Sequence, residues 1–191
     1  MDYKETLKKT WHFIWHEDSF LSWFVNLVLA FLIVKFLIYP GLGLLLGTQF
    51  PIVAVVSGSM EHDVNFDQWW NTQEKFYQNI GISKEEFRRY TFKNGFNKGD
   101  LMILKSSKGL QKGNVIVFQG QPTDPIIHRI ILLNRDGTYR TKGDHNSDSR
   151  QDELHISKEK VFGQAIFRIP YLGWFKIGFV ELLNYFGIHS F

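Results

Sequence analysis

The chain has 191 residues. Once its membrane-seeking parts are set aside, about 130–150 remain, enough for one domain with a single substantial core. A net charge of +3, from 22 basic and 19 acidic side chains, is too slight and too evenly mixed to hold nucleic acid, and zero cysteines exclude disulfides, thiolate metal sites and a cysteine nucleophile.

The first 19 residues carry Trp11, Phe13, Ile14 and Trp15 and read as a short helix at a lipid interface or as a polar tail. Phe20 to Tyr39 has a single charge, Lys35, and its length suits about 30 Å of hydrocarbon. A cleaved secretory signal would have a shorter apolar core and a small-residue cleavage site, so residues 20–39 are expected to stay as a single-pass transmembrane helix. Lys4, Lys8 and Lys9 precede it, favouring an inside N-terminus and a following domain on the exported side of the cell membrane. Pro40 and the glycines at 41, 43 and 47 are expected to break the helix, leaving one folded domain over 40–168.

Short β-branched runs then recur at Ile52–Val56, Leu101–Lys105, Val115–Phe118, Ile126–Leu133, Thr138–Lys142 and Val161–Ile169, separated by Gly, Asn and Asp turns. This spacing predicts a mainly β, mostly antiparallel domain, with a hairpin turn at 134–137. Between the first two runs, about 61–97, Trp69, Trp70, Phe76, Tyr77, Ile80, Ile82, Phe87 and Tyr90 fall at helical spacing. Two short helices are predicted there, the second opened by a capping box, Ser83-Lys84-Glu85-Glu86. This helical insert is expected to serve packing or partner contact. The last segment, 169–191, places Phe175, Phe179, Leu182, Leu183 and Phe186 on one stripe, which suits an interfacial amphipathic helix better than a second crossing.

Chemistry concentrates in three places: Ser57-Gly58-Ser59-Met60 after the first run, a lone imidazole in Ile126-Ile127-His128-Arg129-Ile130-Ile131, and Thr141-Lys142-Gly143-Asp144-His145-Asn146. A serine needs a base within hydrogen-bond reach and donors for the oxyanion, and a neutral imidazole works near neutral pH. These parts suit a serine hydrolase. His62 and His145 are rival bases. Asp144, Asn146, Asp148 and Asp152 also occupy the first, third, fifth and ninth places of a calcium loop. Ser149 and His155 stand where its glycine and closing glutamate belong, so no metal is expected.

With Lys98-Gly99-Asp100, Gly113-Asn114-Val115, Gly143-Asp144 and Ile169-Pro170-Tyr171-Leu172-Gly173-Trp174 in the same order, the chain resembles the type I signal peptidases. The resemblance is to the archaeal and endoplasmic-reticulum branch, in which histidine stands where bacterial relatives have lysine. It implies the signal-peptidase β fold, Ser59 as nucleophile, His128 as general base, and Ser57 with the Ser59 N–H as oxyanion donors. It also implies aspartates that orient the histidine. Asp144 and Asp152 are the candidates, with Asp148 in reserve, because the family's second aspartate would fall at 150, where Arg150 stands. The implied partners are signal-peptide-bearing preproteins, membrane lipid and the protein-export channel, with no cofactor. Alternatives are a catalytically silent membrane adaptor of the same fold and a Ser–Lys enzyme using Lys105 or Lys142.

Overall fold

A computed structural model describes residues 3–120 and 125–187. The final four positions of the predicted C-terminal segment, 188–191, lie outside the described residues. The chain divides into two compact units, Met1–Leu45 and Leu46–Phe191.

In the first unit, α1 (Tyr3–His16) is joined by a short turn to α2 (Phe20–Ile33). Ser19 caps α2, its Oγ accepting from the Ser22 N–H at 3.2 Å. Ser22 Oγ and Asn26 Nδ2 in turn donate to the carbonyls of Phe13 and Ile14. These bonds satisfy exposed carbonyls at the end of α1.

The predicted break at Pro40 does not occur. The helix runs unbroken over Phe20–Leu46, 27 residues, through a π-helical turn (Val34–Ile38) into α3 (Tyr39–Leu46). A proline inside a helix lacks its N–H and presses on the carbonyl four residues back. The wide turn immediately before Pro40, in which the Tyr39 N–H bonds to Val34 O, relieves both faults by opening the spacing. Gly47, at φ +66°, ends the helix instead. At about 1.5 Å per residue the rod is about 40 Å long, sufficient in length and composition to cross a membrane.

The second unit is mainly β: one six-stranded antiparallel sheet in the order β1-β2-β6-β3-β4-β5. The strands are β1 (Ile52–Ala54), β2 (Leu101–Lys105), β3 (Val115–Gln119), β4 (Pro125–Leu133), β5 (Tyr139–Lys142) and β6 (Val161–Ile169). All six coincide with the β-branched runs. Central β3 is covered on both faces. Val115 and Val117 join Val55, Met60, Phe96, Met102, Leu104 and Ala165, whereas Ile116 and Phe118 join Leu110, Ile130, Tyr139, Ile156 and Val161. That division follows from the two-residue period of a strand. The hairpin turn between β4 and β5 closes with the Gly137 N–H on Asn134 O at 3.0 Å, with Gly137 at φ +81°.

The insert forms α4 (Phe66–Asn79) and α5 (Lys84–Phe87). Trp69, Trp70, Tyr77, Ile82 and Phe87 are buried together against Ile131 of β4, with Phe66, Phe76, Ile80 and Tyr90 around them. Its aromatic residues are therefore a third core, packed on the sheet. The capping box at α5 is half formed. Ser83 Oγ accepts from the Glu86 N–H, but the Glu86 carboxylate turns to Tyr90 and Lys112. At the C-terminal end, α6 (Trp174–Tyr185) buries Ile177 and exposes Phe175, Phe179, Leu182, Tyr185 and Phe186.

Candidate active site

The two neighbouring residues His128 and Arg129 point to opposite faces of β4. His128 lies opposite Ile116 in the β3–β4 ladder, while Arg129 lies opposite Val115 and, in the β4–β5 ladder, Lys142. Each face then builds its own charged group.

On the first face, Ser59 sits in the turn after β1, where the Glu61 N–H bonds to Gly58 O at 3.0 Å. Its Oγ is 2.9 Å from His128 Nε2 and 3.2 Å from Ser57 Oγ. His128 is 2% exposed, so its ring is held by packing. Its other nitrogen, Nδ1, bonds to Glu153 Oε1. Glu153 is fully buried and also accepts from Thr141 Oγ1 at 3.0 Å and from the Arg150 N–H at 2.9 Å. Burial pushes the Glu153 carboxyl up, but the bonds from His128, Arg150 and Thr141 outweigh it and hold the group below its ordinary value. A serine, an imidazole and a carboxylate thus stand in one hydrogen-bonded line, the arrangement that activates a hydroxyl for attack.

The aspartates expected to orient the histidine are elsewhere. Asp152 bonds to Arg150 Nη2 at 3.1 Å, and Asp148 bonds to Arg140 at 2.9 Å. Residues 151–153 form a 3₁₀ turn, in which neighbours are about 120° apart. One acid therefore faces inward and the next does not, and the inward one is Glu153. Among sequence signals, only the Arg150-x-x-Glu153 spacing hinted at this turn, closed by the Glu153 N–H on Arg150 O.

Asp144 belongs to the opposite face. Both its oxygens are held by Arg129, Oδ1 by Nε at 2.9 Å and Oδ2 by Nη2 at 2.6 Å. The remaining Arg129 donors reach the carbonyls of Thr91, Gly113 and Phe92, so all five are used. Burial would raise the Asp144 carboxyl, yet the Arg129 charge and bonds, aided by His62, hold it far below the carboxylate range. Because a buried charge stripped of its partner is costly, Asp144→Asn should lower unfolding stability by about 3–5 kcal/mol. Denaturant unfolding of the full chain in detergent measures this. A loss no greater than that of the exposed-site change Asp148→Asn would show that the pair does not hold the fold.

The rival bases are also accounted for. The His62 side chain is buried, stacked on Trp69 at 3.8 Å and bonded to Asp144 Oδ2, on the wrong face for Ser59. His145 is exposed and lies 3.5 Å from Asp63. Lys142 Nζ is turned toward Gln73 Oε1 and the carbonyls of Gly143 and Asp144, while Lys105 is exposed at the end of β2. The calcium-loop arrangement does not form, because Asp144, Asp148 and Asp152 are each held by a different arginine.

Glycine at 143 is required by close approach. A Cβ there would lie 2.6 Å from Ser59 O and 2.8 Å from both His128 Nε2 and Asn146 Nδ2. Beside the pair opens a cleft of about 390 Å³ with apolar walls of Ala54, Val56, Ile126 and Ile127 and polar Asn146 and Arg150 at one side.

The sequence is similar to known signal peptidases. The human signal peptidase complex catalytic subunit SEC11C is 29% identical over 153 residues, covering 74% of this chain and 63% of its own length. The Plasmodium falciparum subunit SEC11 is 27% identical over 163 residues, 80% of this chain and 71% of the relative. Signal peptidase I W of Bacillus subtilis is 36% identical over 82 residues, 39% of this chain and 42% of the relative. The chain is thus similar, at modest identity, to the signal peptidases. The chain matches the SEC11 subunits over a longer stretch than it matches the bacterial enzyme. It spans 63% of the length of the SEC11C relatives, and no family model matches it.

Proposed function

We propose that this chain is a membrane-anchored serine endopeptidase that removes signal peptides from exported preproteins. The observation that carries the reading is the line Ser59 Oγ, His128, Glu153, with 2.9 Å between the hydroxyl and the imidazole. Ser59 Oγ attacks the scissile carbonyl while His128 Nε2 takes its proton. The oxyanion that forms accepts from the Ser59 N–H and the Ser57 hydroxyl. Protonated His128 then delivers the proton to the leaving amine, leaving an acyl group on Ser59. Water, deprotonated by the same imidazole, completes the turnover. Throughout, Glu153 holds the ring through Nδ1 and balances its positive charge.

The substrate adds as an extended strand. Among the described residues β1 is at the sheet's edge, paired with β2 on one side, and it leads directly to Ser57 and Ser59. A peptide pairing with its outer edge is guided toward the hydroxyl. The apolar walls of the cleft, Ala54, Val56, Ile126 and Ile127, suit small apolar side chains. The helix over Phe20–Leu46 serves as anchor, holding enzyme and signal peptide in one plane and raising their effective concentration. Exposed aromatic residues on α6 lie at the lipid interface.

Incubation of the detergent-solubilised chain with a preprotein tests this. A single cut is expected after a small residue, and a bulky residue at the position before the cut should slow it about 100-fold. Sequencing of the new N-terminus locates the cut. A wild-type protein that binds the preprotein but never cleaves it would leave the silent adaptor as the function.

A further inference from the structure

We propose that helix α4 of the insert is a positioning brace for the Ser59–His128 pair, acting through Gln73 on the buried ammonium of Lys142. The inference rests on the peptidase reading above and gives a role to a segment that the reaction itself does not use.

The brace is a continuous set of contacts. Trp69, Gln73 and Tyr77 recur every four residues and so share one face of α4. That face covers the loop after β5. Lys142 Nζ has three N–H donors and three acceptors: Gln73 Oε1 at 2.9 Å, Gly143 O at 3.2 Å and Asp144 O at 3.5 Å. Trp69 Nε1 donates to Asp144 O at 3.2 Å. The inner side of the same loop is bonded to the nucleophile's backbone. The His145 N–H donates to Ser59 O at 2.9 Å, and the Asp144 N–H lies 3.3 Å from Met60 Sδ. Residues 143–145 are therefore gripped by α4 on one side and grip Ser59 on the other.

Lys142 is fully buried, with the rings of Phe76 and Tyr77 each 5.0 Å from its nitrogen. A buried ammonium keeps its three donors satisfied or pulls its surroundings out of place. Gln73 is the acceptor that the insert supplies. Without it, Lys142 must turn toward another partner and release its hold on the two carbonyls. The consequence appears at Ser59, because Gly143 has no room to shift: an added Cβ there would already touch Ser59 O and His128 Nε2. Small displacements at a reacting pair cost rate much more than binding.

The test uses the full chain in detergent and a cleavable preprotein. Gln73→Met keeps length and removes the acceptor, and kcat should fall about tenfold with KM within twofold. Amide exchange at His145 should rise in the same variant. Gln73→Glu restores an acceptor for Lys142 and should return kcat to within threefold of wild type. Thr72→Ala removes the bond from Thr72 Oγ1 to Trp69 O on the same helix but touches nothing on Lys142, so it should keep kcat. If Gln73→Met cleaves at the wild-type rate with unchanged exchange at His145, or if Thr72→Ala loses as much rate, the brace is wrong while the peptidase reading stands. A wild type that cleaves nothing, with His145 exchange still rising in Gln73→Met, removes the peptidase reading and keeps the brace.

Discussion

Ser59→Ala is expected to lower kcat for preprotein cleavage by about 10⁴- to 10⁶-fold, and His128→Ala by a similar factor. The two losses should not add, since hydroxyl and imidazole act as one unit and the double variant should be no slower than either single one. Ser59→Ala is the cleaner experiment. Ser59 is half-buried and, among the described residues, its Oγ hydrogen-bonds to the Ser57 hydroxyl and His128 Nε2, so the fold should survive unchanged. His128→Ala, by contrast, empties a buried site and strands the Glu153 carboxylate, so its melting temperature should fall as well. Single-turnover cleavage with excess enzyme measures both rates. A Ser59→Ala protein that still cuts at a tenth of the normal rate would remove this serine from the reaction, whatever the distance between the two groups.

Much of this architecture could be read from local patterns. The six β-branched runs became the six strands because each combines a two-residue apolar period with Gly, Asn or Asp at its ends. Trp69, Trp70 and Tyr77 on α4 share one buried cluster with Ile82 and Phe87, because helical spacing turns the apolar side of α4 toward the short second helix and the sheet. What was not legible depended on geometry that no short window carries. Pro40 reads as a helix breaker, but a π turn five residues long lies directly before it and absorbs the missing bond. Asp144 follows a glycine close to the histidine in space, yet strand alternation puts its partner Arg129 on the other face of β4. Aspartate against glutamate at 152 and 153 is a question of turn angle, which composition leaves open.

This last distinction yields the second large effect. Glu153→Gln preserves shape and burial but removes the charge that balances protonated His128, and an amide can present the wrong group to Nδ1. A loss of about 10³- to 10⁴-fold in kcat is expected, with KM little changed. Asp152→Asn should stay within about twofold of wild type, because its carboxylate bonds to the exposed Arg150 and not to His128. The same residue carries a pH signature. Its folded pKa is depressed below 4.5, so the stability that ionised Glu153 contributes is complete above that value. It is lost as pH falls through the folded pKa, when the native state must take up a proton that the unfolded chain already holds. Asp144, depressed by Arg129, adds to the same acid loss. Melting temperature should therefore drop below about pH 4.5 in wild type and drop less steeply in Glu153→Gln, which lacks the Glu153 contribution. Parallel melting curves for the two proteins, together with a full-rate Glu153→Gln enzyme, would place the partner of His128 somewhere other than residue 153.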